Sequence, residues 1–386
     1  MENASAVVRA ARMFEFYTQT LWPVHRLWAK RTLARRCRRC ALSERAASID
    51  ATELCSACRD PFPRPTTAPA SANELTELTK ILAAHEGKGQ NRYDALVLFS
   101  GGKDSVFMVR RMQDAHPSLR LLALTIDNTF MSPIARANTL RLVRRLDLDH
   151  ITFRPARAYI KKLYRYGITH LNAGGGYGTV DFSDGEFLLD AARSLAAEKN
   201  IPLILCGYSR FQVQDGLGLR NFESPPERER ADRTHVAGMA LSDIYSDSER
   251  DLWWRGSRWP ADRVARLLFP LYAWDLDESD IVRQVAAWGL LTPKENSPLV
   301  TNHGLIPLLG VVDIHRMGYS GFEKEFCRMI REGKAPLKRW RAVFEFLEYT
   351  ARTGLFVKPI VIDALRQLDL TPEDVGIHFS SPPAKR

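Results

Sequence analysis

The stretch that decides the fold runs from Ala95 to Val106 and reads ALVLFSGGKDSV. The run YDALVLF has the composition of a strand, and DSVFMVRRMQDAH behind the loop has helical spacing, with Val106, Val109 and Met112 on one side. A strand, a glycine-rich turn and a helix in this order aim backbone N–H groups and a helix N-terminus at an anion. The stretch therefore predicts a phosphate-binding loop.

The segments that follow predict an alternation of strands and helices. LRLLALTID, HITFRP and IPLILCG have strand composition, and GEFLLDAARSLAAEKN has helical composition. SPIARANTLRLVRRLD is predicted as a helix capped by Ser132, with Pro133 at its first position. Such alternation predicts an α/β fold, a parallel sheet with helices on both faces.

The pattern is looser beyond Gly207. NFESPPERERADR is polar and predicts a mobile loop. WDLDESDIVRQVAAWGLL predicts a helix with acidic residues in its first turn, and the chain from Pro307 to Phe356 predicts mostly helix. The final SPPAKR is expected to be disordered.

Two familiar phosphate motifs are absent from the loop. It contains neither the G-x-x-x-x-G-K-[ST] of a Walker loop nor the G-x-G-x-x-G of dinucleotide-binding proteins. The hexapeptide that begins at Ser100 instead resembles the PP-loop of the N-type ATP pyrophosphatases, a family that includes GMP synthetases, tRNA thiolation enzymes and sugar amidotransferases. The alternative is a glycine turn capped by Ser and Asp.

The resemblance implies an adenine nucleotide alpha-hydrolase-like fold and an enzyme that cleaves ATP between the α and β phosphates, transfers AMP to a substrate oxygen and lets a nitrogen or sulfur nucleophile displace it. Lys103, Asp104 and Ser105 are the expected catalytic residues. Magnesium is expected to accompany ATP, with Asp104 either a helix cap or a magnesium-linked carboxylate. Asp127, which closes the second strand, is expected either to contact the nucleotide or to cap a turn. The expected nucleotide-binding residues are Ser100, Gly101, Gly102, Lys103, Asp104, Ser105 and Asp127.

Two C-x-x-C pairs precede this region. Cys37 and Cys40 are separated by fourteen residues from Cys55 and Cys58, close to the lower edge of the usual spacing in structural zinc sites. Four thiolates would close a tetrahedral Zn²⁺ site and fold a knuckle that is too small to be stable by burial alone. A redox pair and an iron–sulfur cluster are the alternatives. The arginines around the first pair also suit RNA.

The chain beyond Arg36 resembles, within that family, the N-acetyl sugar amidotransferases of surface-polysaccharide biosynthesis. The resemblance rests on CSACR, SGGKDS, LDHITFRP, IPLILCG and the late TNHGLIPLLGVVDIHRMGYS, which contains Thr301, Asn302, Gly318 and Tyr319. The chain departs from that pattern in AGGGYGTVDFSDGEF and after the fourth strand. We expect a flexible lid, or a second close-approach loop, in AGGGYG. The candidate substrate residues are Asp181, Asp184, Tyr208, Arg210, Thr301 and Asn302.

The implied activity is an amidotransferase-like ligase that uses ammonia, supplied by a separate glutaminase subunit, on a small molecule. One alternative is a sulfurtransferase that thiolates tRNA or a small-molecule nucleobase. It would need a sulfur carrier, and Cys206 and Cys327 are the candidates, although both also fit buried structural positions. A further alternative is a nucleotide- or RNA-binding module without turnover.

Composition sets the remaining expectations. A net charge of +10 favours an anionic partner, and there is no apolar run long enough to span a bilayer. Paired cysteines and the lack of a secretory signal indicate the cytoplasm.

The start of the chain alternates apolar and basic residues, which predicts an amphipathic helix that packs on its own protein or a partner, with a membrane-surface helix as the alternative. The predicted regions are an N-terminal amphipathic segment (1–36), a four-cysteine zinc knuckle (37–59), a linker (60–72), the PP-loop domain (73–300) and a mostly helical C-terminal region (301–386).

Overall fold

A computed structural model describes residues 13–14, 16–59, 72–90, 92–291 and 303–380. The predicted linker and the final SPPAKR lie almost entirely outside the described residues, and Thr301 and Asn302 lie outside them as well. The strands are β1 (Ala95–Leu98), β2 (Leu121–Ile126), β3 (Asp149–Phe153), β4 (Leu203–Leu205), β5 (His235–Val236), β6 (Met239–Ala240) and β7 (Arg266–Leu268).

The helices are distributed along the whole described chain. They are α1 (Trp22–Ala29), α2 (Ser56–Arg59), α3 (Ala72–His85), α4 (Lys103–Ala115), α5 (Pro133–Arg145), α6 (Arg157–Thr169), α7 (Phe182–Lys199), α8 (Pro226–Arg230), α9 (Pro270–Trp274), α10 (Glu278–Ala287), α11 (Ile306–Met317), α12 (Glu323–Arg331), α13 (Leu337–Thr353) and α14 (Lys358–Gln367).

The chain divides into two compact units that interleave along the sequence. One, called here the cysteine unit, comprises Met1–Thr66, Leu163–Asp181 and Ser297–Arg386. The other, called here the sheet unit, comprises Thr67–Lys162 and Phe182–Asn296. The predicted regions are consecutive in the sequence, whereas these units are not, and the predicted domain boundaries stay predictions.

The sheet unit contains a five-stranded parallel sheet in the order β3-β2-β1-β4-β7. β1 pairs with β2 from Ala95↔Leu121 and with β4 from Ala95↔Leu203. The order therefore reverses at β1, and right-handed crossovers in opposite directions place helices on opposite faces of such a sheet. The predicted α/β fold is confirmed. Its core is one apolar cluster in which β1 and β4 are fully buried.

Local sequence explains the helix that follows β2. Ser132 is the N-cap of α5, where its hydroxyl accepts a hydrogen bond from the backbone N–H of Ala135 at 3.1 Å, and Pro133 occupies the first helical position. The first turn of α10 contains Glu278 and Asp280, whose negative charges interact favourably with the positive end of the helix dipole. Both predicted helix starts are confirmed.

The mobile loop predicted for NFESPPERERADR is wrong. The segment contains α8, and Glu229 on that helix is buried and accepts two hydrogen bonds from the Arg193 guanidinium, at 2.7 and 2.8 Å. Arg193 also binds Asp190, and Arg233 binds the same carboxylate. Charged residues look like a solvent-exposed loop in sequence, but here they are paired inside the sheet unit, and this pairing offsets the cost of their burial.

The cysteine unit is mostly helical in its C-terminal part, as predicted, with α11 to α14 in succession. α13 packs against the N-terminal helix α1: Trp22 is fully buried against Phe346 and Tyr349, with ring centroids 5.2 and 5.5 Å away. Arg36 is buried between the carboxylates of Glu323 and Glu348, at 2.8 and 3.0 Å. The predicted packing of the amphipathic segment on its own protein is confirmed for the face that carries Trp22.

Candidate phosphate loop and cysteine cluster

The hexapeptide forms the connection between β1 and α4, at the carboxyl end of the strand where the sheet order reverses. Gly101 has φ +73°, and a Cβ built on it would lie 2.5 Å from Thr139 Oγ1. Only glycine fits such a position, because it combines a left-handed backbone with a close approach. Gly102 is the N-cap of α4, so the first N–H groups of that helix have no partner within it and face the loop. The predicted strand–turn–helix arrangement is confirmed.

Serine hydroxyls brace the loop internally. The backbone N–H of Gly102 donates to Ser100 Oγ at 3.3 Å, and Ser105 Oγ donates to the Gly102 carbonyl at 3.0 Å. Since Ser105 has only one hydroxyl hydrogen, the 3.3 Å contact between the two hydroxyls must be donated by Ser100. Thr139 Oγ1 lies 3.1 Å from the Ser100 carbonyl and 2.9 Å from the Ala135 carbonyl, so these two acceptors share its single hydroxyl hydrogen. The loop is therefore held in shape before any ligand arrives.

Lys103 is the first residue of α4 and lies among carboxylates. Its Nζ is 2.8 Å from Asp104 Oδ2 and 3.5 Å from Glu278 Oε1. Burial by itself would lower the pKa of Lys103, but the charges of Asp104 and Glu278 outweigh that effect and raise the pKa above its ordinary value. Lys103 is thus a firmly protonated cation beside the loop. The role of Glu278 was missed, because only its place in a helical first turn was visible in the sequence.

The strand next to β1 also ends in polar residues. Asp127 Oδ1 accepts a hydrogen bond from the backbone N–H of Thr129 at 3.1 Å, and Asp127 Oδ2 is 3.1 Å from the Arg136 guanidinium and 3.7 Å from that of Arg154. Asp127 therefore caps the turn, one of its two expected roles. The other, contact with the nucleotide, stays a prediction.

Thr129 itself has φ +67°, which is unusual for a β-branched residue and concentrates backbone strain at this edge of the sheet. Asn128 precedes it and donates from Nδ2 to Asp184 Oδ1 at 3.0 Å. The structure thus brings one predicted substrate residue, Asp184, to the carboxyl end of β2. The strained turn was missed, since nothing in LTIDNTF signals a left-handed threonine.

The segment after β4 approaches the loop. A Cβ on Gly207 would lie 3.4 Å from the Ser105 backbone nitrogen, so Gly207 packs beneath the start of α4. Tyr208 packs against α7 at Gly185. A Cβ on Gly185 would lie only 2.4 Å from the Tyr208 hydroxyl, so the contact requires a glycine at this position.

Arg210 is buried. Its guanidinium contacts Glu74 Oε2 at 2.6 Å and the Tyr272 carbonyl at 3.1 Å. The structure thus gives Arg210 a bracing role within the sheet unit, and its expected contact with substrate stays a prediction.

Cys206 directly follows β4 at the carboxyl edge of the sheet but is only 1% exposed, and its backbone N–H donates to the Leu268 carbonyl at 2.9 Å. Burial raises the pKa of the Cys206 thiol to about 12. A thiol in this state is a poor nucleophile at neutral pH, because the thiolate is the reactive form.

The glycine-rich AGGGYG loop closes on the protein itself. The carboxylate of Asp313 in α11 accepts hydrogen bonds from the backbone N–H groups of Gly176 at 2.5 Å and Gly321 at 3.0 Å. Gly175 has φ +72°, and a Cβ there would lie 2.4 Å from Asp313 Oδ1. The loop approaches this buried carboxyl group of the protein closely, and the expected lid or close-approach loop for substrate stays a prediction. Asp181, another candidate substrate residue, lies in the same unit with its Oδ1 3.4 Å from His303 Nδ1.

The four knuckle cysteines converge in the cysteine unit. Their sulfur atoms all lie within 4.8 Å of one another, and Cys40 Sγ and Cys55 Sγ are 3.6 Å apart. A tetrahedral zinc ion with Zn–S bonds of about 2.3 Å needs sulfurs roughly 3.8 Å apart, so the cluster fits one such ion. An iron–sulfur cluster would spread the sulfurs over several metal atoms and hold them farther apart. The predicted clustering of the four cysteines is confirmed, and its geometry fits structural zinc.

The surroundings of the cluster are consistent with a structural site. All four cysteines are buried, with no more than 4% exposure, and none of the six cysteines of the chain forms a disulfide. The backbone N–H of Cys55 points at Cys37 Sγ, 3.4 Å away, which stabilises a thiolate. Cys327 is buried in the same apolar cluster, as expected for a structural cysteine.

Fold and site together define a parallel α/β protein with a glycine-rich strand–loop–helix connection at the point where the strand order reverses, and, in the same chain, a cluster of four cysteines that fits a metal ion. No protein-family model matches the chain, and no curated protein matches it. Within the described residues, no helix is both long and apolar enough to cross a membrane.

Solved structures with some similarity include two synthetases and a tRNA thiolase. NMN synthetase from Francisella tularensis has a TM-score of 0.37 and 14% identity, with 72% of this chain and 93% of that chain covered. NH3-dependent NAD synthetase from Campylobacter jejuni has a TM-score of 0.33 and 13% identity, with 72% and 95% covered. U34-tRNA thiolase NcsA from Methanococcus maripaludis has a TM-score of 0.36 and 11% identity, with 88% and 91% covered. At this level of similarity, the function has to be argued from the site.

Proposed function

We propose that this chain is an ATP-dependent adenylating enzyme of the PP-loop type, which activates an oxygen of a small molecule and replaces it with nitrogen from ammonia. The observation that carries the proposal is the braced SGGKDS loop, in which Gly101 is left-handed and Gly102 caps a thirteen-residue helix. The resemblance of the hexapeptide to the PP-loop supplies the specific reaction, and the geometry supports it.

The loop residues have distinct roles in this proposal. Backbone N–H groups at the start of α4, together with its helix dipole, bind the pyrophosphate portion of ATP. Lys103 stabilises the negative charge that develops as pyrophosphate leaves. Asp104 and Glu278 place two carboxylates beside this cation, where they would hold a magnesium ion that screens the phosphate charges. Ser100 and Ser105 keep the loop in the shape that exposes its N–H groups.

The proposed reaction has two steps. A substrate oxygen attacks the α-phosphorus of ATP, a P–O bond forms, and the bond to pyrophosphate breaks. Ammonia then attacks the activated carbon, the carbon–oxygen bond to AMP breaks, and the nitrogen loses a proton to give the amide or amidine. Pyrophosphate and AMP are both released. The loop therefore binds the pyrophosphate that leaves ATP, whereas in phosphoryl transfer the terminal phosphate is passed to the substrate.

Nitrogen is favoured over sulfur by the state of Cys206. A sulfur-transferring enzyme needs a thiol that is accessible and readily ionised, whereas Cys206 is buried with a raised pKa. We therefore expect Cys206→Ser to retain activity. Steady-state AMP formation with ammonia and, separately, with sulfide measures this. Loss of sulfide-dependent turnover in the variant would favour the sulfurtransferase.

The acceptor is proposed to be a sugar of surface-polysaccharide biosynthesis, on the strength of the sequence resemblance. Tyr208 follows β4, and Asp184 on α7 accepts a hydrogen bond from Asn128, which follows β2. β2 and β4 flank β1, and open α/β sheets bind ligands at the carboxyl ends of their strands. Arg210, Asp181, Thr301 and Asn302 remain candidates from the sequence. A separate glutaminase subunit is proposed as the ammonia source, and the cytoplasm, where ATP is available and thiols stay reduced, as the location.

Structural zinc is proposed for the cysteine cluster. Replacing Cys37 or Cys58 by Ser removes one of four ligands, so we expect loss of bound zinc together with soluble protein. Cys206→Ser is the matched control, because Cys206 is also a buried cysteine but belongs to the core of the sheet unit and is outside the group of four. Metal analysis of the purified proteins provides the measurement. A wild-type protein that folds stably without metal would refute the zinc assignment.

The reaction itself is tested with purified protein, ATP, magnesium, ammonia and candidate sugars. Product analysis should show AMP and pyrophosphate in equal amounts, dependent on both sugar and ammonia. ADP and phosphate as products, or no turnover with any acceptor, would count against the proposal and favour a nucleotide-binding module without catalysis.

A further inference from the structure

The N-terminal part of the cysteine unit exposes an unusual number of large apolar side chains. Ten such residues are exposed in the described chain, and six of them lie between positions 13 and 28. Leu27 and Trp28 are 71% and 72% exposed, more than any other. The six are Met13, Phe16, Leu21, Val24, Leu27 and Trp28.

These side chains form the outer face of an element that is already anchored on its other face. Trp22 and Ala29 on α1 are buried, and Trp22 packs on α13. Leu21, Val24 and Trp28 recur at intervals of three and four residues, which places them along one side of the helix. Their exposure is therefore not explained by the packing of the cysteine unit.

The surrounding charge is strongly one-sided. Between Asn3 and Ser43 the sequence contains nine lysines and arginines but only one acidic residue, Glu15. The segment thus carries a net sequence charge of +8, although three of its cations, Arg26, Arg35 and Arg36, are paired with glutamates in the structure. Lys30 and Arg31, which follow directly after Trp28 and Ala29, are exposed and form no ion pair with a described residue.

Apolar side chains projecting from a helix that is bordered by unpaired cations are the features that interfacial helices use to bind lipid. A second copy of the chain would bring a like charge of equal size against this surface, which opposes self-association. RNA would be attracted by the cations, but leucine, valine and methionine have no favourable contact with a phosphate backbone. The surface, defined here as the apolar–basic face, thus fits an anionic membrane best.

We propose that the apolar–basic face docks the protein on the surface of an anionic phospholipid membrane, with Leu27 and Trp28 inserted among the lipids and Lys30 and Arg31 at the headgroups. Docking of this kind needs no membrane-spanning segment. It is independent of the reaction proposed above, since every residue that carries it lies outside the sheet unit.

The test is flotation of the full-length protein with vesicles of phosphatidylcholine alone and of phosphatidylcholine with an equal amount of phosphatidylglycerol. We expect binding to the second kind, weakened by salt. Leu27→Glu with Trp28→Glu should reduce binding by about tenfold or more, since both lose their apolar insertion. Lys30→Glu with Arg31→Glu should reduce it by at least about fivefold for each charge removed. Leu140→Glu is the matched control, because Leu140 is a helical leucine that is 52% exposed elsewhere, and it should bind like the wild type.

Circular dichroism and thermal unfolding establish that the variants fold, and the charge variant keeps the test valid if the apolar variant does not. Failure of the wild type to float with anionic vesicles would overturn the proposal. So would equal flotation of all four proteins. A dimer that Leu27→Glu with Trp28→Glu converts to monomer, or an RNA affinity lost in the charge variant without any vesicle binding, would assign the face to another partner and also overturn it.

Discussion

Two glycine-rich loops in this chain have opposite uses for the same backbone property. In SGGKDS, the left-handed Gly101 lets the chain turn tightly into α4, so that the first N–H groups of this helix face the loop. In AGGGYG, the left-handed Gly175 lets the chain approach Asp313, and the N–H of Gly176 binds that carboxylate. The first loop leaves N–H groups of α4 without a partner in their helix and is proposed to bind phosphate, whereas the second binds a carboxyl group of the protein itself. A glycine-rich loop therefore does not by itself indicate a ligand from solution.

The largest effect should follow from a charge placed in the first loop. Gly102→Asp adds bulk and negative charge where pyrophosphate would bind, so we expect ATP affinity and AMP formation to fall by about a hundredfold or more, because like-charge contacts cost several kcal/mol. Isothermal calorimetry and product analysis measure the two quantities. Gly238→Asp is the control for added bulk and charge, since nothing lies within 4 Å of Gly238 in the β5–β6 turn of the same unit. Its φ of +85° adds backbone strain, which aspartate tolerates better than most residues. ATP affinity retained in Gly102→Asp would refute the phosphate-loop assignment.

The second loop should respond in stability and not in nucleotide binding. In Gly175→Ala the new Cβ collides with Asp313 Oδ1, and the alanine has to keep a left-handed backbone. Together these two costs should destabilise the cysteine unit by about 1–3 kcal/mol. Hydrogen exchange of peptides from α11 and from the loop measures this locally. Gly333→Ala is the matched control for Gly175→Ala. Gly333 has φ +76° but nothing within 4 Å, so this substitution measures the cost of the left-handed backbone without a steric collision. Equal effects of the two substitutions would mean that the contact with Asp313 is unimportant.

A smaller effect concerns pH. Burial raises the pKa of Asp313 to about 7 from an ordinary 3.8, although the N–H donors around it act in the opposite direction. Between about pH 4 and 7 the folded protein therefore keeps a proton that the unfolded chain has released. This stabilisation is complete at low pH and is lost as the pH rises through 7. Asp313→Asn cannot titrate, so its loss of stability relative to wild type should be larger at pH 5 than at pH 8.

Unfolding by denaturant at the two pH values, followed in the cysteine unit, checks this. If the free energy of unfolding of the wild type exceeds that of Asp313→Asn by more at pH 8 than at pH 5, the N–H groups of the loop stabilise the ionised carboxylate more than burial penalises it. In that case, the second loop would resemble the first more closely, since both would prefer a charged anion.

The sequence was most informative where a short segment specifies its own structure. The strand, loop and helix around Gly101, the cap at Ser132 and the clustering of the four cysteines all depend on residues that lie close together in the chain. Sequence reasoning failed where a partner is distant. Gly176 and Asp313 are 137 positions apart, so nothing near AGGGYG revealed the carboxylate that it encloses.

The strand β7 was missed for a related reason. It has only three residues, Arg266–Leu268, and its place beside β4 is determined by tertiary pairing. The same holds for Glu229, whose burial depends on Arg193 in another helix. Polar segments look like loops in a sequence when the opposite charges that pair with them are far away.

The interleaving of the two units has a consequence for synthesis on the ribosome. Arg36 is made early, but its buried partner Glu323 follows 287 positions later. At roughly 5–20 residues per second, the N-terminal segment waits tens of seconds for the helices that bury it. The four cysteines, by contrast, emerge within one short stretch and are ready to take up a metal at once. A metal-bound knuckle would be a folded element of the nascent chain long before α13 is synthesised. The supply of metal during translation should therefore affect how much of the protein reaches its native state.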